Sequence, residues 1–282
     1  MAVVINTSGS ISAFLTNIYE VALLVARENS VMSGLVHNFT NGQGMNGRVW
    51  ATYSGGTFGT ISESYDTADN SQAFTPSAAG TLTPAIFAAT YTLSDMRIAS
   101  DPFGVQADAG RDLGQLAAVG VDKALVGLFT SFTGGTIGAT TTALTWPGIQ
   151  KASAYIRANL APAPYSCVLT PAQLYDLTAA TSGVPTLLQS QKLIEEFGQF
   201  YASSWAGIDF FVDANITDTG GTTSAGIFSR DALALDIRRA FRIEMQRDAS
   251  VGGGAWELNA SMVYAYGVYR PTFGVLLKGA SY

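Results

Sequence analysis

A thiol nucleophile with an imidazole to activate it is the first chemistry to test, and the sequence offers one of each, Cys167 and His37. Cys167 sits in the apolar run YSCVLT (165–170), where a thiol is buried and inert rather than held as a thiolate. A Cys–His pair would require these two distant positions to meet across the fold. A single cysteine excludes an intrachain disulfide and a multi-cysteine zinc site, and a single histidine excludes a histidine-based metal cluster.

GQGMNG at 42–47 is formally G-x-G-x-x-G, with Glu63 and Asp66 about twenty residues further on, as a dinucleotide site would want. Such a site needs its third glycine to open a helix that holds the pyrophosphate. Here RVWATYSGG follows, which is strand-like, so the glycines read as a hinge into an extended segment. Glu195 and Glu196 are adjacent on a helical run and face about 100° apart, a solvated face rather than an acid–base pair. Asp209 and Asp213 flank GIDFFVDANI and could offer oxygens to a hard cation, although solvation of a strand end explains them more simply. No phosphate loop, metal-ligand spacing or G-x-S-x-G elbow occurs. We therefore expect no catalytic residue, no cofactor and no metal; the chain does not read as an enzyme.

The remaining chemistry is basic. DIRRAFRIEMQRDAS (236–250) gathers Arg238, Arg239, Arg242 and Arg247 ahead of an aromatic run. Gripping DNA or RNA would draw on many cations, yet the chain has four lysines and a net charge of −6. Asp236, Glu244 and Asp248 also interleave the arginines. Mixed charges opposite an apolar strand face point to subunit contacts or cross-strand pairs. Any contact with nucleic acid should be local and weak.

The elements that must position these residues explain the composition. Apolar residues make up 48% and charged residues 13%, about half of the roughly 25% usual for soluble domains. Either a membrane or copies of the same chain must then cover surface. A span needs about 20 mostly apolar residues, and VALLVA (21–26) is flanked by Glu20 and Arg27. The N-terminus lacks a positive region and long apolar core, so we expect synthesis in a cytoplasm and no membrane.

Apolar spacing of three and four predicts a helix over 11–28, capped by Ser10 or Ser12. Between 34 and 94 glycine, serine and threonine dominate, and RVWATY and TLTPAIFAATYTL predict an exposed two-stranded arm bearing Trp50 and Tyr53. A long helix follows over 105–132, with Leu113, Leu116, Ala117, Val121 and Leu125 on its stripe and Asp108, Arg111, Asp112, Asp122 and Lys123 opposite. Residues 145–230 read as a compact α/β unit. Alternation over 241–269 then predicts a hairpin, with Phe241, Ile243 and Met245 against Trp256, Leu258, Ala260, Met262, Tyr264 and Tyr266.

This order of parts, with DLGQLAAVGVDKALVGLF (112–129) as a spine helix and SRDALALDIRRAFRIEMQRDASVGGGAWELNASMVYAYGVYRPTFGVLL (229–277) as closing strands, resembles the major capsid proteins of tailed bacteriophages. The resemblance implies the α+β Hong Kong 97-like fold: N-terminal arm 1–47, extended loop 48–95, peripheral domain 96–144 with the spine helix, axial domain 145–230, and return strands 231–282. It further implies a structural subunit that self-assembles into hexamers and pentamers of an icosahedral head around double-stranded DNA, located in the virion and assembled in the host cytoplasm. Arg238, Arg239, Arg242, Arg247, Trp50 and Tyr53 are the expected inter-subunit contacts. Some relatives weld subunits with an isopeptide bond from a lysine in the extended loop, but no lysine precedes Lys123. About 45 residues precede the loop, too few for the N-terminal scaffolding segment of some relatives, so the resemblance implies a separate scaffolding protein or none, with a portal and a possible decoration protein. An encapsulin-type compartment is the nearest alternative reading, and a soluble α/β enzyme the alternative from another class.

Overall fold

The computed structural model describes residues 30–39, 48–53, 76–100, 104–140, 142–179, 200–216, 218–219, 222–248, 250 and 253–280. The helix expected over 11–28, the GQGMNG loop with Glu63 and Asp66, and the Glu195–Glu196 pair lie outside them. The described chain begins with a short helix α1 (Met32–Leu35) and strand β1 (His37–Phe39). Strands β2 (Arg48–Tyr53) and β3 (Pro76–Leu82) pair antiparallel as a separate two-stranded ladder.

Pro84 has no N–H to give a ladder, and β3 ends just before it. Strand β4 (Ala85–Ser94) then belongs to a different sheet. The extended run 81–93 is thus two strands in two sheets. Ser94 caps the short helix α2 (Asp95–Ala99), its Oγ accepting from the Arg97 amide at 3.3 Å. Gly104 adopts φ +82°, a left-handed turn that suits glycine, and starts the long helix α3 (Val105–Val126). A 3-10 turn continues it to Ser131.

By length and composition alone, 105–131 could cross a membrane. Many of its apolar side chains are taken up by the protein's own core: Leu113, Val121, Leu125 and Phe129 are buried, whereas Leu116 is exposed.

Next come β5 (Thr136–Ile137), α4 (Trp146–Ala158), β6 (Tyr165–Leu169), α5 (Pro171–Ala179), β7 (Tyr201–Trp205), β8 (Ile208–Val212), β9 (Asp218–Thr219) and β10 (Thr222–Ser229). Pro147 occupies the first turn of α4, where its missing N–H costs nothing. Trp146 donates its indole N–H to the Leu177 carbonyl at 2.9 Å, tying α4 to α5. Strands β11 (Leu233–Asp248), β12 (Ala255–Val268) and β13 (Gly274–Ala280) complete the chain.

Two sheets organise these elements. One has seven strands in the order β5-β13-β10-β6-β8-β7, with β9 paired to β10; the other has four, β1-β11-β12-β4. Most ladders are antiparallel, with parallel pairs at β6–β8, β5–β13 and β1–β11. The long hairpin forms as expected, and it begins earlier, at Leu233. The final strand departs from expectation: β13 pairs with β10 in the seven-stranded sheet rather than with the return strands β11 and β12.

Helix α3 serves both sheets. Its C-terminal half joins the large core, where Phe129, Phe132 and Phe228 have ring centroids 5.5 to 6.0 Å apart. Its N-terminal half lies on the hairpin, where Leu113 packs with Phe241, Ile243, Leu258 and Ala260. Bulges between Ile237 and Arg242 interrupt the β11–β12 register, which twists the strand and changes the face its side chains present.

Candidate assembly interface

The surface least explained by the subunit alone lies where α3 crosses the free edge of the four-stranded sheet. A groove of about 170 Å³ opens there, lined by Phe87, Leu116, Gly120 and Met262 among others. Phe87 stacks on Tyr264 at 4.1 Å. Around it Ile86 is 63% exposed, Leu116 46% and Phe87 38%. Alternation along the strand turns Phe87, Ala89 and Tyr91 toward the helix, whereas Ile86 is exposed on the opposite face of the same end strand. Among the described residues, strand β4 is also the sheet's end strand, with β12 as its one partner. An open edge beside an apolar groove can add a strand and bury side chains; it holds nothing that could activate a nucleophile.

The four arginines along β11 have partners within the chain. Arg238, the extra residue of the bulge between Ile237 and Arg239, pairs with Asp236 at 2.9 Å, both side chains buried. Arg239 donates to the Ser261 hydroxyl at 3.2 Å. Arg242 pairs with Glu244 at 3.0 Å on an exposed face. Arg247 makes a two-pronged contact with Asp95 at the head of α2 and lies over the Trp256 ring at 5.1 Å; this contact holds the Asp95 carboxyl below its usual range. Trp50 and Tyr53 lie on β2 opposite Gly80 and Pro76 of β3, apart from the arginines' sheet.

No protein-family model matches the chain, and no curated protein matches it in sequence. Solved structures do match. The capsid of Ralstonia phage GP4 superposes with a TM-score of 0.72, at 9% identity, over 91% of this chain and 92% of that one. A structure from Mycobacterium phage Che8 gives 0.68 at 16% identity, over 88% and 90%. The chain has the phage-capsid fold. A virus-like particle from Pyrococcus furiosus also superposes, at 0.60 and 10% identity, over 94% of this chain and 99% of that one. The α+β, Hong Kong 97-like architecture expected from the sequence is the one observed.

Within this capsid fold the other candidates resolve individually. Cys167 is fully buried on β6, and burial pushes its thiol well up, away from nucleophile chemistry. His37 lies on β1 in the other sheet and contacts Asp231 at 2.9 Å, so the two do not meet. Asp209 and Asp213 are separated along extended chain by about 13 Å, which does not gather them into one cation site. Asp213 is buried and accepts the Asn215 amide at 2.8 Å. Asp122, expected on the polar face of the long helix, is fully buried instead. Its carboxylate accepts the amides of Val31 at 3.0 Å and Met32 at 3.2 Å, and these partners account for its inward position.

Proposed function

We propose that this chain is the structural subunit of an icosahedral shell, assembling as pentamers and hexamers of a phage head around double-stranded DNA. The observation that carries the reading is the capsid fold over about nine-tenths of the chain. The uncovered apolar edge at Ile86, Phe87 and Leu116 supports it, since a neighbouring copy would bury it. On this reading the β2–β3 arm lies over a neighbour, the four-stranded sheet with the N-terminal half of α3 forms the peripheral domain, and the seven-stranded sheet, β13 included, forms the axial domain. The subunit acts without catalysis, in the virion, with scaffolding, portal and decoration proteins as further partners. With no lysine before Lys123, the shell is held by strand addition and packing without a loop-lysine cross-link.

Of the four arginines, Arg242 has the exposed geometry to reach a neighbour, whereas Arg238 serves the fold. Electron microscopy of the purified protein tests the central claim. Uniform shells tens of nanometres across are expected, and small particles that never assemble would overturn it. The superposition on the chain of the Pyrococcus furiosus virus-like particle, over 99% of that chain, supports a second reading, an encapsulin-type compartment. Nucleic acid inside particles from the native source supports the phage head; a protein cargo supports the compartment.

A further inference from the structure

Asp122 is a buried ionisable group that no part of the shell reading uses. It stands on α3 with its side chain turned into the large core, and among the described residues its hydrogen bonds go to the segment just ahead of β1. Its Oδ2 accepts the Val31 amide, and its Oδ1 accepts the Met32 amide and meets the Ser30 hydroxyl at 3.1 Å. Ser30 in turn donates to Ser33 at 2.7 Å. Val31, Met32 and Leu35 bury beside Val121 and Leu125. One carboxyl therefore ties the first described turn of the chain to the long helix.

We propose that Asp122 is a proton-dependent latch, fastening residues 30–35 to the long helix when neutral and loosening them when ionised. The contacts permit both forms. A serine hydroxyl can donate or accept, so a neutral Asp122 can donate from Oδ1 to Ser30 while Oδ2 still accepts Val31.

The surroundings favour the neutral form. Residues 30–36 carry no ionisable side chain. Lys123 beside it on the helix is exposed. From the seven-stranded sheet, the charge facing it is another carboxyl, Asp213. Asp213 is 2% exposed, and its Oδ2 has no hydrogen-bond partner among the described residues. Arg230 reaches only the far end of the segment, donating to the Val36 carbonyl at 3.2 Å, and His37 is engaged by Asp231. Burial, with Asp213 adding to it, pushes Asp122 up to about 7, against the amides of Val31 and Met32 and the Ser30 hydroxyl.

The sign follows from linkage. Once the segment lifts, the carboxyl is hydrated and its pKa falls toward the ordinary range near 4. Opening thus releases a proton. The latch is fully fastened below about pH 4, weakens by up to about tenfold per pH unit as pH rises toward 7, and levels off above.

Hydrogen–deuterium exchange on the full chain reads this directly, as the protection of a peptide covering 30–36 corrected for intrinsic exchange. Protection should fall up to about a hundredfold from pH 5 to 7 and flatten by pH 8. Asp122→Asn, which cannot ionise, should lose the slope. Asp213→Asn, which removes the facing charge, should move the plateau to lower pH and serves if the first variant does not fold. PH-independent protection in the unmodified chain, a slope that survives Asp122→Asn, or a plateau unmoved by Asp213→Asn would each overturn the proposal.

Discussion

The two sheets solve the same problem of apolar burial to different degrees. Around the seven-stranded sheet, Phe129, Phe210, Phe211 and Phe228 are essentially sealed. Glycines let the rings sit directly on the strands: a Cβ at Gly274 would lie 2.4 Å from the Phe132 ring. The four-stranded sheet has the same helix for cover, yet its own core is Leu113 with four hairpin residues, and Ile86, Phe87 and Leu116 remain outside. The rings of the first region are covered by their own chain. Among the described residues the other has an end strand with one partner and an unfilled groove, the condition expected of a surface completed by a second molecule. Stability and assembly should therefore respond to different substitutions.

The sharpest separation comes from placing Asp at both Ile86 and Leu116. Particles should be lost altogether by electron microscopy, while subunit unfolding shifts by about 1 kcal/mol or less, since both positions are exposed. Intact shells from this variant would break the contrast. In the sealed region, Phe228→Ala should cost about 3–5 kcal/mol in denaturant unfolding. Arg238→Ala should cost a similar 3–5 kcal/mol by leaving Asp236 buried without its guanidinium. A mild result there would mean that the β11 arginines do not serve the fold. The smallest change is expected for Arg247→Ala: its pair with Asp95 is solvent-exposed, so the melting temperature should barely move. A large drop would make that pair structural.

Periodic features were legible because their period is local. The stripe through Leu113, Val121 and Leu125 and the alternation of Phe241 and Ile243 against Arg242 and Glu244 both appear in the structure where the sequence put them. Position in the tertiary fold was not legible. Asp122 follows Val121 and carries a charge, so a helical wheel turns it outward; only the amides of residues 31 and 32, ninety positions away, draw it in. GVLLKGA plainly reads as a strand, but its pairing with β10 is a choice among sheets that spacing does not encode. Asp236 and Arg238 meet across a bulge, and neither that irregularity nor the burial of the pair is encoded in the spacing. The candidate interface was half visible: low charge announced a missing partner, but nothing in PAIFAATY said that its strand would end a sheet.

The path from the arm into the body has a mechanical consequence. Leu82, at the base of β3, is buried with Ala234 and Ala265, and after two intervening residues the chain becomes β4, which runs antiparallel along β12 through ten consecutive residue pairs, from Ala85 with Tyr264 to Ser94 with Ala255. A tug on the arm along that direction loads those rungs together in shear, rather than peeling them one at a time. The strand that leaves its outer edge free for a neighbour is therefore also the tether through which tension from the arm reaches the body of the subunit.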